Sequence, residues 1–236
     1  MAKAIEYLCT VKGFKMLTPT VFELTFETDK PFEFQAGQFI SCVIPGAGPK
    51  GRDLRRAYSI ASAPEVRPVE LCVKVVEEGP GTQYLYKLRP GDTFRGFAPY
   101  GDFVYEAKAA RHAMFIATGT GIAPFRSMAL SQQYRDAPPV SAECLLGVRG
   151  EEELLYVDDM SRLPSLKWVT AVTRPKDGFS GFRGRVTDYL RQLGPEFPWL
   201  ETDYYLCGNG EMIKEVKELL AAQGVDKESV HQEKYY

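Results

Sequence analysis

Three stretches of the sequence place side chains of binding or reactive type at spacings that could act on a charged, planar ligand. M-F-I-A-T-G-T-G-I-A-P-F, from Met114 to Phe125, runs an apolar strand into a glycine-rich turn. Pro124 falls where a helix would begin, a place that tolerates a missing N–H. Gly119 and Gly121 would let a nucleotide approach the backbone, and a helix N-terminus favours its negative charge. The spacing is G-x-G without the third glycine of the common dinucleotide fingerprint, and a tight strand-to-helix turn with no ligand fits it equally well. R-A-Y-S, Arg56 to Ser59, offers an arginine that can pair with a phosphate, a flat tyrosine face and a serine hydroxyl in one extended segment. Strand alternation puts Arg56 and Tyr58 on one face and Ser59 on the other unless the strand bends; an exposed arginine beside a core tyrosine is the plainer alternative. The chain ends V-H-Q-E-K-Y-Y. Chain ends are usually frayed and polar, so two adjacent terminal tyrosines suggest a docking surface elsewhere in the fold.

The elements that must position these residues show two textures. From Tyr7 to Phe103, short alternating runs such as V-F-E-L-T-F-E, Q-F-I-S-C-V-I and V-E-L-C-V-K-V-V are punctuated by Gly and Pro, which predicts a small antiparallel barrel or sandwich. After Ala107, apolar runs such as A-E-C-L-L-G-V, L-K-W-V-T-A-V and Y-Y-L-C alternate with helical stretches, the last of them followed by E-M-I-K-E-V-K-E-L-L. That order predicts a parallel sheet covered on both faces. The boundary is expected between Tyr105 and Arg111, giving domains of residues 1–106 and 107–236.

Composition narrows the function classes. The chain has 236 residues, 44% hydrophobic and 25% charged, enough for two domains, and its 29 Lys+Arg against 31 Asp+Glu leave a net charge of −2. Nothing in that total points to nucleic acid or an acidic membrane surface. No apolar run approaches the roughly 20 residues of a bilayer span, and the start M-A-K-A-I-E-Y-L lacks signal-peptide anatomy, so a cytoplasmic location without membrane insertion is expected. Cys9, Cys42, Cys72, Cys144 and Cys207 are scattered and odd in number, which fits a reducing compartment. None of their spacings suits zinc or an iron–sulfur cluster, and only His112 and His231 could assist, so no metal is expected.

Six motifs in order carry a resemblance: R-A-Y-S (56–59), V-K-V-V-E-E-G-P-G-T (73–82), G-D (91–92), P-Y-G-D-F (99–103), T-G-T-G-I-A-P (118–124) and C-G-N-G (207–210). In this register the sequence resembles the ferredoxin–NADP reductase family over nearly its whole length. G-V-R-G-E-E-E-L-L-Y (147–156) and V-T-R (172–174) look most like the bacterial ferredoxin/flavodoxin–NADP(+) reductase branch. The resemblance implies an N-terminal FAD-binding β-barrel followed by an α/β parallel-sheet domain for NADP(H). It implies that Arg56 holds the FAD pyrophosphate, that Ala57 lies in the same segment, that Tyr58 stacks on the isoalloxazine and that Ser59 reaches flavin N5. The backbone of Cys72, Val73, Lys74 and Val75 would line the flavin edge, Gly79, Gly81 and Thr82 would donate to the pyrophosphate, and Thr118 would touch the flavin from the second domain. Gly119, Thr120, Gly121 and Ile122 would lie beside the nicotinamide nucleotide, as would Val148 and Gly208, Asn209 and Gly210. Cys207 would sit near the nicotinamide C4, Glu233 would assist charge and proton handling, and Tyr235 or Tyr236 would cover the flavin face.

Choice of nucleotide should be legible as charge, because NADPH adds one phosphate that needs cationic fork donors, whereas NADH sites place a carboxylate on the 2′-hydroxyl. Arg149, Thr173-Arg174 and Arg185 match the family's 2′-phosphate readers, with Asp177 the nearby carboxylate that would argue for NADH. The expected partner is a separate ferredoxin or flavodoxin, acidic carriers that a basic patch including Lys50, Arg52 and Arg55 could meet. A solvated loop fits that stretch equally. The rivals are the reductase component of an oxygenase, a free-flavin reductase, and a non-catalytic flavin-binding electron-transfer subunit. FMN in place of FAD would use the same arginine.

Overall fold

The computed structural model describes residues 4–235. In the first part of the chain, β1 (Ile5–Thr18), β2 (Val21–Thr28), β3 (Phe39–Ile44), β4 (Leu54–Ser59) and β5 (Val69–Lys74) are followed by helix α1 (Pro80–Lys87) and β6 (Thr93–Tyr100). The strands form an antiparallel sheet in the order β4-β3-β6-β1-β2-β5. A bridge between Ile60 and Leu71, with the Ala61 N–H donating to the Glu70 carbonyl, brings the two edges together as a barrel. Alternation explains its core: Phe22, Leu24 and Phe26 of β2 and Val69, Leu71 and Val73 of β5 point inward to meet Ile40 and Phe94.

The second part begins at β7 (His112–Thr118), α2 (Ile122–Leu130), α3 (Gln132–Asp136) and β8 (Ala142–Val148). It continues through α4 (Val157–Ser161), β9 (Lys167–Val172), β10 (Phe182–Arg183), α5 (Val186–Gln192), β11 (Thr202–Asn209), α6 (Gly210–Ala222) and β12 (Val230–Tyr235). These strands form a parallel sheet ordered β10-β9-β8-β7-β11-β12. Its strands are apolar on both faces because both are covered. Met114 and Ile116 of β7 meet the α5 and α6 side, while Phe115 and Ala117 belong to a cluster that includes Ala61, Cys72, Phe103 and Tyr105. Barrel and sheet therefore share buried apolar surface across their junction.

Strand order reverses at β7: the chain moves outward through β8, β9 and β10, then returns to the other side of β7 as β11 and β12. Such a switch leaves a crevice at the carboxyl ends of the strands, the usual place for a ligand in an open parallel sheet. The terminal segment, expected as an aromatic tail folded over a cofactor, is an edge strand through Tyr235. Main-chain pairing with β11 ties it down, with Cys207 opposite Glu233 and Asn209 opposite Tyr235. Tyr236 lies outside the described residues.

Candidate functional site at the strand switch

A cleft of about 790 Å³ opens at that switch. Thr118 ends β7, Val148 ends β8, Thr173 follows β9 and Asn209 ends β11, and all four line it together with Gly119, Thr120 and Gly208. Gly119 takes φ +53 with open space where a Cβ would be, so a glycine here serves the turn conformation and leaves the backbone accessible. Gly121 differs from expectation. A Cβ there would strike the Cys207 carbonyl, so its glycine serves the close packing of the turn on β11. Neither Gly121, Ile122 nor Gly210 is among the lining residues; Ile122 is buried in the apolar cluster below the cleft. Thr118 has its Oγ1 engaged, accepting from the Asn209 N–H at 3.0 Å and pinning the β7 and β11 ends together.

At one end of the cleft four side chains from distant parts of the chain meet. The Ser59 hydroxyl donates to Glu233 Oε2 at 2.7 Å, Cys207 lies opposite Glu233 in the strand pairing, and the Tyr235 side chain interacts with both Ser59 and Cys207. Alternation in β12 accounts for this: Glu233 and Tyr235 share a face, while Gln232 and Lys234 turn to α6, where Lys217 Nζ donates to Gln232 at 3.1 Å. Burial pushes the Glu233 carboxyl above its ordinary value, and the Ser59 hydrogen bond pulls it partly back. Burial also raises the Cys207 thiol well above its usual value, helped by the Glu233 charge and opposed by the Tyr235 hydrogen bond. A fully buried thiol with so little thiolate character is a poor nucleophile and acts through shape.

The R-A-Y-S segment keeps the alternation of a strand. Arg56 and Tyr58 face the start of α1, where a Cβ on Gly81 would lie 2.5 Å from the Tyr58 hydroxyl and 2.8 Å from Arg56 Cγ. Gly79, Pro80 and Gly81 thus bring the helix start against an exposed guanidinium, an arrangement that suits a phosphate. The Thr82 hydroxyl, expected to face a phosphate, donates to the Val76 and Gly79 carbonyls and closes the preceding turn. β4 and β5 meet at the Ile60–Leu71 bridge, so Ser59 and the segment from Cys72 to Lys74 flank one opening of the barrel; Lys74 reaches the cleft. The Cys72 side chain turns the other way, into the cluster between barrel and sheet.

At the far end of the cleft stand Arg149, Arg174 and Arg185. Pairing of the strand extensions, with the Arg174 N–H donating to the Arg149 carbonyl at 2.8 Å, holds the first two side by side. Three carboxylates line the cleft as well: Glu153, Glu211 and Glu215, the last 3.9 Å from Arg185. Sequence reading missed these three, since no spacing relates them to the arginines before the fold is known. Asp177 is not a lining residue. On the barrel, Arg55 is held by Ser41 at 3.1 Å and Tyr100 at 2.8 Å and lies over the Phe97 ring, so it is less available to a partner than Lys50 or Arg52, both exposed.

Residues 9–105 match the family model described as an oxidoreductase FAD-binding domain, and residues 115–218 match an oxidoreductase NAD-binding domain. Ferredoxin–NADP reductase B of Sorangium cellulosum is 34% identical, covering all of both chains. The chain belongs to the ferredoxin–NADP reductase family. A ferredoxin NADP+ reductase from Neisseria gonorrhoeae, solved with bound FAD and NADP, superposes over the full length of both chains with a TM-score of 0.81 and 25% identity. Another relative, the phenol hydroxylase P5 protein of Acinetobacter pittii, is 31% identical over 98% of this chain but only 65% of its own length. This family member is a flavoprotein oxidoreductase: it carries an FAD site, for which the Arg56–Gly81 cradle provides the fit, and a nicotinamide-dinucleotide site. No described helix is long and apolar enough to cross a membrane.

Proposed function

We propose that this chain is a ferredoxin/flavodoxin–NADP(+) reductase, exchanging electrons between NADPH and a separate one-electron carrier. The observation that carries the reading is a cleft lined by Tyr235 at one side and by Arg149, Arg174 and Arg185, with Ser59, Cys207 and Glu233 gathered around Tyr235 behind its wall. When bound, FAD would supply two-electron chemistry toward the nicotinamide and one-electron chemistry toward the carrier. Residues 1–106 would hold it: Arg56 and the backbone of Gly79 and Gly81 would bind the pyrophosphate, Tyr58 would pack against the ring system, and Ser59 with the Cys72–Val75 segment would orient its edge.

Residues 107–236 hold NADPH. Gly119, Thr120 and Gly208 give the dinucleotide backbone a close approach, while Arg149, Arg174 and Arg185 with Thr173 take the 2′-phosphate through charge-assisted hydrogen bonds. Cys207 shapes the pocket for the nicotinamide ring, and Glu233 holds or moves a proton at Ser59 Oγ. Tyr235 fills the ring's place until NADPH displaces it, a stacking contact of roughly 0.5 to 1.5 kcal/mol that is strong enough to shield and weak enough to yield.

A second reading, the reductase component of an oxygenase, is supported by the phenol hydroxylase relative. Reduced enzyme mixed in a stopped-flow instrument with ferredoxins and flavodoxins of its own organism distinguishes them. Rapid reoxidation by a ferredoxin or flavodoxin, with slow reaction toward oxygen and free flavin, is expected. Reoxidation only by an oxygenase component would replace the proposal with the second reading.

A further inference from the structure

The reaction needs the FAD-holding barrel and the nucleotide-holding sheet at a fixed separation, and one buried side chain spans that junction. Arg126 lies on α2, five residues beyond Gly121, with its side chain 11% exposed. Its Nε donates to Asp159 Oδ2 at 2.7 Å, and its Nη1 donates to the Ala61 carbonyl at 2.9 Å and to Glu70 Oε2. Its guanidinium lies over the Tyr156 ring, 4.4 Å from the centroid, and the Tyr156 hydroxyl donates to Glu23 Oε2 at 3.2 Å. Beside it the Ser127 hydroxyl donates to the Ser62 carbonyl at 2.7 Å.

These partners sit next to the working residues on both sides. Ala61 is two residues beyond Ser59, and Glu70 is two residues before Cys72 on the strand that reaches the cleft at Lys74. Asp159 and Tyr156 follow β8, which ends at Val148, the residue before Arg149. A guanidinium is suited to this place, since its planar fork satisfies several acceptors at fixed angles where an ammonium is a single point. Burial works against the charge, but Glu70, Tyr156 and Asp159 more than offset it and hold Arg126 protonated. Burial and the Glu70 charge meanwhile push Glu23 above its ordinary value.

We infer that Arg126 is a positioning residue for hydride transfer: by clamping Ala61 and Glu70 of the barrel to Asp159 and Tyr156 of the sheet, it sets how closely the nicotinamide ring approaches the flavin. This rests on the proposed reaction. Its logic is that displacements of about 1 Å in a reacting pair can cost on the order of 100-fold in rate, while the phosphate-binding residues of each site, Arg56 with Gly79 and Gly81 on one side and the three arginines on the other, lie within one domain and survive loosening of the clamp.

The test compares FAD-loaded wild type with Arg126→Lys and Arg126→Met under anaerobic rapid mixing with NADPH. Three quantities are read: nucleotide dissociation constant, rate of flavin reduction, and the long-wavelength absorbance that marks a nicotinamide ring stacked on the flavin. Expected are FAD content and affinity within about threefold of wild type, reduction slowed on the order of 10- to 100-fold in Arg126→Met, and a weakened stacking absorbance, with Arg126→Lys intermediate. A folded variant with unchanged rate and absorbance would overturn the inference, as would a lowered melting temperature alone. If Arg126→Met does not fold, Glu70→Gln removes one side of the clamp while keeping its shape; loss of folding or FAD in all three variants assigns the cluster to stability and also overturns the inference. Wild type that is not reduced by NADPH at all would instead overturn the proposed reaction.

Discussion

The two ends of the cleft are built in opposite ways. At the barrel end, the Ser59 hydroxyl donates to Glu233 with Cys207 and Tyr235 beside them; Ser59 and Cys207 are buried, and Glu233 and Tyr235 are half-buried. At the other, Arg149, Arg174 and Arg185 stand exposed, with Glu215 facing Arg185 across 3.9 Å. The contrast separates two tasks. On the proposed reading, Ser59, Glu233 and Cys207 are already in place when the ring arrives and Tyr235 alone must move, while nucleotide choice falls to solvated charges that become strong only when a phosphate orders them.

Substitutions should break the two ends differently. The largest effect is expected from Ser59→Ala, which leaves the buried Glu233 carboxyl without its donor: anaerobic stopped flow should show flavin reduction slowed by about 100-fold, with NADPH affinity within about threefold. Loss of affinity instead of rate would erase the distinction between the ends. Arg174→Ala combined with Arg185→Ala should do the converse, raising the KM for NADPH on the order of 10- to 100-fold through lost charge-assisted contacts while leaving kcat and the KM for NADH nearly unchanged. Equal losses for both nucleotides would show that the phosphate binds elsewhere.

Two further effects are smaller. Removing Tyr235 and Tyr236 together should tighten nicotinamide binding by about 2- to 12-fold, the range that the stacking energy allows, measured by titration of the flavin spectrum; removing Tyr236 alone should change little. No change in either truncation would remove the gate. The pH dependence of stability follows from Glu233, whose carboxyl is raised above 4.5 in the folded state by burial. Its protonated form favours folding, so its contribution is full below about that pH and is lost as pH rises through the folded value. Chemical denaturation of wild type and Glu233→Gln should therefore show a stability difference that moves against wild type across that interval, whereas a constant difference would mean that the carboxyl is not desolvated.

Local pattern made much of this molecule legible. The alternation of V-F-E-L-T-F-E predicts β2, the apolar run A-M-F-I-A-T predicts β7, and E-M-I-K-E-V-K-E-L-L predicts most of α6, because side-chain periodicity is a property of neighbours. Opposite facing of Tyr58 and Ser59 was readable for the same reason. The strand character of V-H-Q-E-K-Y was not, because its polar alternation becomes a strand only when β11 supplies the missing backbone partners. Ser59 and Glu233 are 174 residues apart, and Arg126 reads as an ordinary helical arginine until Glu70 and Asp159 are brought to it. Gly121 carried a readable signal with a different meaning: the glycine is required, but by the Cys207 carbonyl.

On the proposed function the cleft delivers NADPH, in preference to NADH, to a flavin beside Ser59 and Cys207. Anaerobic mixing of the FAD-loaded protein with stoichiometric NADPH or NADH decides the matter. Rapid loss of the yellow flavin absorbance is expected with NADPH, and much slower loss with NADH at equal concentration. Persistent absorbance with NADPH, or faster bleaching with NADH, would contradict it.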